Sequence, residues 1–324
     1  MMRDLATPAP AVSILTPAYD VARFIGPAVD SVLAQGFEDW EMIVVDDGSS
    51  DGTAEVVTAR RDRRLRLLRQ ENQGVSAARS RAMAEARGEA VVFLDADDWL
   101  APDALERLVA ALAAAPQAVG AHGGYAVMAE EAAPGDLPLR LKSGPFPSGD
   151  LLERLLIQNL FVNGGHLLLR REALLRAGPF LAHLRYGEDW EYWIRLAMQG
   201  PFAGVADAEP LLYVRERQGS AYRRMAFDAA AFAPAMAAIY GNAALAERLG
   251  AGRLDRMRRR AEAENAWIMG RELIRHGDRS AGLERLRASV ASAPSPKRAL
   301  LLAAAHAMPL LPRPLHGPFA AYPG

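Results

Sequence analysis

Apolar runs of four or five residues recur along the first hundred positions. Each ends in polar or acidic residues, and amphipathic stretches lie between them. Residues 12–16 read as a buried strand. The spacing of Ile25, Val29, Val32 and Leu33 predicts a helix over about 23–35. Residues 42–45 form a second strand without polar alternation, which predicts cover on both faces, as in a parallel sheet. Ser50 or Asp51 is placed to cap the next helix, which runs to about 60. A short third strand follows at 65–68. After Gly74 a helix runs to about 87, with Gly88 as its stop, and 90–94 is another fully apolar strand. Pro102 suits the first turn of a helix that reaches about 115. Strand and helix alternate throughout, which predicts an α/β, doubly wound sheet.

The middle is less regular. Residues 119–128 read as a strand, the Pro/Gly-rich 132–149 as a loop and 151–158 as a helix. A strand at 166–169, a short helix at 172–177 closed by Gly178, a helix at 188–199 and a late strand at 211–214 follow. Trp190, Trp193, Ile194 and Ala197 form the core face of the helix at 188–199; Tyr192 could point either way. Beyond about Arg223, alanine, leucine and arginine recur at helical spacing until Pro294 and Pro296 interrupt them. This predicts an all-helical C-terminal region over 223–324.

Composition narrows the function. The chain has 324 residues and a net charge of −1, so nothing argues for bulk electrostatic binding to nucleic acid. Cysteine is absent, which removes disulfide and thiolate chemistry and fits a reducing compartment. The opening MMRDLATPAPAVSIL lacks the apolar core of a signal peptide, and no run approaches the ~20 apolar residues of a membrane span. The segment from Arg253 to Arg275 is rich enough in arginine to contact anionic lipid, but its interspersed glutamates favour a solvated helix face. The expected location is cytoplasmic, or peripheral on the inner face of the plasma membrane.

The candidate chemistry lies at the strand ends. In EMIVVDDGSSDGT the second strand ends in Asp46 and Asp47; in AVVFLDADD the fourth ends in Asp95, Asp97 and Asp98. Ligands of open parallel sheets bind beyond such ends. Asp95 and Asp97, two apart, point the same way in an extended segment, and converging carboxylates suit a hard divalent cation shared with phosphates. The competing reading is that these acids shape turns and cap helices. An EF-hand imitation at Asp47, Ser49, Asp51 and Gly52 fails, because Thr58 stands where glutamate is required and a strand precedes the loop. A phospho-accepting receiver domain is disfavoured because no lysine precedes Lys142. The fingerprints G-x-G-x-x-G, G-x-x-x-x-G-K-[ST] and H-E-x-x-H are absent.

The series TPAYD (16–20), VVDDGSSDGT (44–53), NQGVSAARS (72–80), GEAVVFLDADD (88–98) and GEDWEYWIRL (187–196) resembles family 2 glycosyltransferases over about the first 220 residues. The resemblance implies a GT-A-type, mostly parallel sheet flanked by helices in residues 1–222. A nucleotide half at about 10–128 would precede an acceptor half at about 129–222. It implies that Pro17, Ala18 and Tyr19 lie against the nucleotide base and that Asp46 hydrogen-bonds it. Arg79 would lie near the nucleotide. Asp95, Ala96 and Asp97 match the D-x-D motif, with Asp95 on the ribose and Asp97 on Mn²⁺ or Mg²⁺. Asp189 would be the general base, with Glu188 beside it. Asp20 and Ser80 depart from the family's asparagines. The Q-x-x-R-W motif of processive synthases is missing, which argues against polymerising a long glycan.

The expected activity is therefore metal-dependent, inverting transfer from a nucleotide-sugar, a UDP-sugar first, to a glycan or lipid-linked acceptor in cell-surface polysaccharide or glycoconjugate synthesis. His166 is a candidate acceptor contact, weighed against a structural role. Arg170 and Arg171 could steady a phosphate or cap a helix. The C-terminal region could serve a homo-oligomer, an acceptor platform or a peripheral membrane contact. The alternatives are a non-catalytic nucleotide- or glycan-binding relative and a sugar-nucleotide pyrophosphorylase. The latter needs a glycine-rich loop after the first strand, and TPAYD is not one.

Overall fold

The computed structural model describes residues 9–217, 230–275 and 277–307. The chain divides into two compact units, residues 1–152 with 161–218, and residues 153–160 with 219–324. The boundary expected near Arg223 lies outside the described residues. The segment 153–160, read with the acceptor half, groups instead with the C-terminal helices.

In the first unit the alternating elements are β1 (Val12–Ala18), α1 (Ala22–Leu33), β2 (Trp40–Asp46), α2 (Thr53–Thr58), β3 (Leu65–Arg69), α3 (Val75–Glu85) and β4 (Ala90–Phe93). After β5 (Trp99–Leu100) come α4 (Ala104–Ala113), β6 (Gly120–His122), β7 (Gly124–Met128) and β8 (Arg140–Lys142), then α5 (Leu152–Leu155), whose residues from 153 onward belong to the second unit. The unit closes with β9 (Leu167–Arg170), α6 (Arg171–Ala177), α7 (Glu188–Ala197), β10 (Phe202–Gly204) and β11 (Pro210–Arg215). A seven-stranded sheet runs β10-β6-β9-β4-β1-β2-β3, and a four-stranded sheet runs β5-β11-β7-β8. β1 to β4 are mutually parallel, while β9 is antiparallel to both β4 and β6. The strand expected over 119–128 is two strands, β6 and β7, in different sheets.

The apolar runs make the core because neither face of the central strands meets water: every residue of β2 and β4 is buried. Ile25, Val29 and Val32 of α1, with Leu105, Leu108 and Leu112 of α4, join the same cluster. Each such side chain contributes about 1.5–3 kcal/mol on full burial. Gly88 has a reason beyond stopping a helix. A Cβ there would sit 2.6 Å from the Ser13 amide nitrogen, so the chain entering β4 could not pass β1.

The second unit contains α8 (Ala233–Tyr240), α9 (Ala243–Leu249), α10 (Ala251–Arg275), α11 (Arg279–Ser292) and α12 (Pro296–Ala307). Trp267, Ile274, Leu283, Leu286 and Ala305 form its buried cluster. Pro296 opens α12 rather than ending the helical pattern, as a proline at a first helical position can. On α10, Arg258 and Arg259 pair with Glu262 and Asp255 one turn away, in keeping with a solvated face. Among the described residues no helix is long and apolar enough to cross a membrane.

Candidate active site at the carboxyl ends of the sheet

Strand register assembles the site. Ala18 at the end of β1 pairs with Asp46 at the end of β2. On the other side of β1, Leu94 donates to the Leu15 carbonyl, so Asp95, Ala96 and Asp97 leave the sheet beside Pro17, Ala18 and Tyr19. Ala18 and Ala96 are buried, whereas Tyr19 is 51% exposed at the mouth.

Asp46 and Asp47 have different duties. Asp47 is spent on the backbone: it accepts from Gln70 Nε2 at 2.6 Å, Gln73 N at 3.0 Å and Gly74 N at 2.8 Å. It thereby holds the loop that starts α3. Asp46 is wholly buried and accepts from Ser49 N at 2.9 Å and Arg69 Nε at 3.1 Å. The rest of the acidic loop clasps α1. Asp20, at φ 46°, accepts from Ser50 N at 2.8 Å, and Asp51 accepts from Ala22 N, the first residue of α1, at 2.9 Å. The N-cap position of α2 is Gly52, in the left-handed region, but Asp51, a capping candidate from sequence, accepts at Oδ1 from Thr53 N, the first amide of α2, at 3.1 Å.

Arg79, in α3, is nearly buried. Its Nη2 donates to Asp95 Oδ1 at 2.8 Å and its Nη1 to Glu188 Oε1 at 3.0 Å. Burial opposes its charge, but Asp95 and Glu188 outweigh burial and raise its pKa. Asp97 Oδ2 accepts from Arg217 Nη1 at 2.9 Å. Burial and the neighbouring Asp95 push its carboxyl upward, against Arg217. Among the described residues, no other residue donates to the second oxygen of Asp95 or of Asp97.

Asp189 sits in the first turn of α7, where its Oδ1 accepts from Trp190 N at 2.6 Å. Burial, then the adjacent Glu188, push its carboxyl up to about 7, although Arg79 and the Trp190 amide pull it down. A carboxyl poised near neutrality suits proton transfer at physiological pH. The resemblance set Glu188 beside the base on the acceptor side; here it is the second anchor of Arg79.

Four residues were not singled out from sequence. Asp98 is 2% exposed and joins three segments: its Oδ1 accepts from Arg215 N at 2.8 Å and its Oδ2 from Asn163 Nδ2 at 2.6 Å. Burial, Asp97 and Asp95 hold its pKa well above the usual carboxylate range. Asn163 gets there because Gly164 has no Cβ; one would lie 2.6 Å from Phe93 Cβ. Arg215 donates from Nε to the Asp97 carbonyl at 3.1 Å and from Nη1 to the carbonyls of Glu130 and Ala132. The signal for Arg215 and Arg217 was present in LLYVRER, two arginines at the end of an apolar strand in a chain with surplus acids at other strand ends.

His166 is turned inward rather than toward the mouth. It is 2% exposed, its Nδ1 lies 2.7 Å from the Gly123 carbonyl, and its ring packs against Tyr125 and Phe161. Burial depresses its pKa to about 3, so it is neutral. Trp190, Tyr192 and Trp193 are all buried, with Tyr192 stacked on Phe180 at 4.0 Å between centroids. Arg170 donates to the carbonyls of Leu112, Ala115 and Ala118, so it closes the carboxyl end of α4.

Among the described residues no cluster of three metal-ligating side chains forms. The donor set still fits a hard divalent cation. Asp95 and Asp97 each offer an oxygen that no other described residue uses, and Mg²⁺-like ions typically take one or two carboxylates plus phosphate and water.

Residues 13–177, about half the chain, match the model of glycosyl transferase family 2, and the chain belongs to that family. A Bacillus subtilis protein, provisionally named the teichuronic acid biosynthesis glycosyltransferase TuaG, is 38% identical over 130 residues, 39% of this chain and 51% of that protein. The matched stretch spans about half or less of the length of such curated relatives. Among solved structures, S. aureus TarS 1–349 in complex with UDP-GlcNAc superposes with a TM-score of 0.65 at 19% identity, covering 91% of this chain and 87% of that one. The mannosyltransferase PcManGT from Pyrobaculum calidifontis, in complex with GDP-Man and Mn²⁺, gives 0.56 at 23% identity, covering 97% and 84%. The fold is of the GT-A type.

Proposed function

We propose that this chain is a metal-dependent, inverting glycosyltransferase that moves a sugar from a nucleotide-sugar, with UDP-sugars the first donors to test, to a hydroxyl of a glycan or lipid-linked acceptor in cell-surface polysaccharide synthesis. The observation that carries the reading is the pairing, at one sheet end, of two carboxylates that each keep an oxygen no other described residue uses, Asp95 and Asp97, with a carboxyl raised to about 7, Asp189.

Asp97, with Asp95 beside it, would hold the cation. When bound, a divalent cation supplies charge neutralisation for the departing diphosphate. Pro17, Ala18, Tyr19 and Asp46 would receive the nucleoside, and Arg79 fixes Asp95 toward it. The acceptor oxygen forms its bond to the anomeric carbon as the bond to the diphosphate breaks, and Asp189 takes the acceptor's proton. A single displacement of this kind inverts that carbon.

Calorimetric titration of UDP with and without Mn²⁺, repeated on Asp97→Ala, tests the reading. Metal-dependent binding lost in the variant supports it. If UDP, GDP and dTDP all fail to bind, the reading is wrong.

A further inference from the structure

We propose that Arg217 is the resident counter-ion of Asp97 and opposes the loading of a cation on the same carboxylate, so that metal binding is linked to the arrival of a diphosphate able to receive the guanidinium. The inference rests on Asp97 being the metal-binding acid. Among the described residues, the Arg217 guanidinium is less tied than those of Arg79 and Arg215 around the D-x-D segment. Arg79 is 8% exposed at the side chain and tied at both ends, to Asp95 and Glu188. Arg215 is fixed by three backbone carbonyls, those of Asp97, Glu130 and Ala132. Arg217 has a 24% exposed side chain, one ion pair, to Asp97 Oδ2 at 2.9 Å, and a lateral contact over the Phe24 ring at 4.8 Å.

Electrostatics supplies the linkage. A divalent cation and a guanidinium on the same carboxylate repel each other at a few ångströms. A cation arriving alone on the other oxygen of Asp97 faces the Arg217 guanidinium, with no further anion to receive it. A cation arriving with a diphosphate brings anionic oxygens, whose geometry suits a guanidinium fork. Metal and nucleotide then strengthen each other's binding by the same factor, because coupling is reciprocal. Arg217 is in this view a positioning residue.

The test measures Mn²⁺ affinity of the full chain without nucleotide, from the paramagnetic resonance signal of free Mn²⁺, for the wild type, Arg217→Gln, Arg217→Lys and Asp97→Asn. Arg217→Gln is expected to bind Mn²⁺ roughly two- to fivefold more tightly than the wild type, the effect of losing one partly exposed ion pair. Arg217→Lys should stay near the wild type, and Asp97→Asn should lose the site. With UDP added, the gain in Mn²⁺ affinity should shrink in Arg217→Gln. Unchanged or weaker nucleotide-free binding in Arg217→Gln, with binding still lost in Asp97→Asn, would overturn the counter-ion role alone. Unchanged binding in Asp97→Asn would overturn the assignment of the metal to Asp97 and, with it, this inference.

Discussion

Arg79 and Glu188 form a 3.0 Å ion pair that joins α3 to α7, and the same guanidinium holds Asp95 at 2.8 Å. One buried charge thus fixes the relative position of the D-x-D segment and of the helix turn that carries Asp189. Removing one partner of a buried ionic network leaves the others uncompensated, at about 3–5 kcal/mol. Arg79→Gln is therefore expected to lower stability by about 3 kcal/mol in urea unfolding and to abolish transfer. A loss below about 1 kcal/mol, the size of a surface pair, would show that the network is solvated.

Asp189 gives a pH signature. Acting as a base it must be deprotonated, so transfer should rise as pH passes through about 7. The stability effect has the opposite sign. The folded chain keeps a proton that the unfolded chain releases near the ordinary value of 3.8, so Asp189 makes stability fall as pH rises from about 4 to about 7. Asp189→Asn should bind nucleotide, lose transfer, and melt higher than the wild type at pH 8, with the difference closing toward pH 4. Retained turnover in this variant would remove the base assignment.

Asp47 lies next to a nucleotide-binding candidate but works on the scaffold. Asp47→Ala strands the Gln73 and Gly74 amides and Gln70 Nε2. Hydrogen bonds to a charged group contribute about 1.5–3 kcal/mol each, and they are not additive, so a loss of about 3 kcal/mol is expected. Thermal unfolding checks this. A variant of wild-type stability that has lost nucleotide would instead make Asp47 a ligand contact.

His166 supports the interior. His166→Ala should cost about 3 kcal/mol through lost packing, with acceptor KM and the pH profile of transfer unchanged. The wild type should lose stability as pH falls from about 6.5 toward 3, because the unfolded chain protonates this ring first. A rise in acceptor KM without loss of stability would return His166 to the acceptor side.

Much of the first unit was legible because its signals are local. Apolar runs gave β1, β2 and β4, the last two ending in acids, and their parallel arrangement set Asp46, Asp95 and Asp97 at one edge. What was illegible depends on contacts distant in sequence. β5, at two residues, and β10, at three, are too short to show a period. The antiparallel placement of β9 follows from its neighbours, not its composition. Asp98 was not singled out in the sequence, and only its partners Asn163 and Arg215, 65 and 117 residues away, show it as a joint. His166 looked available after two glycines, yet those glycines let the chain press inward.

Glu41 shows what separates an inert acid from a usable one. It too lies in β2, at the end of the strand away from Asp46, and it is nearly buried. Its Oε1 receives the Ser13 hydroxyl and the Arg87 amide, and its Oε2 receives Arg87 Nε and Nη2. All four lone pairs of that carboxylate are saturated, and its pKa is lowered despite burial. The sheet therefore carries a saturated carboxylate near the start of β2 and, past the end of β4 at the opposite rim, two carboxylates that each keep an oxygen no other described residue uses. The sheet has a chemical polarity as well as a geometric one, and new specificities in this scaffold should be sought by altering the rim while leaving the saturated pole intact.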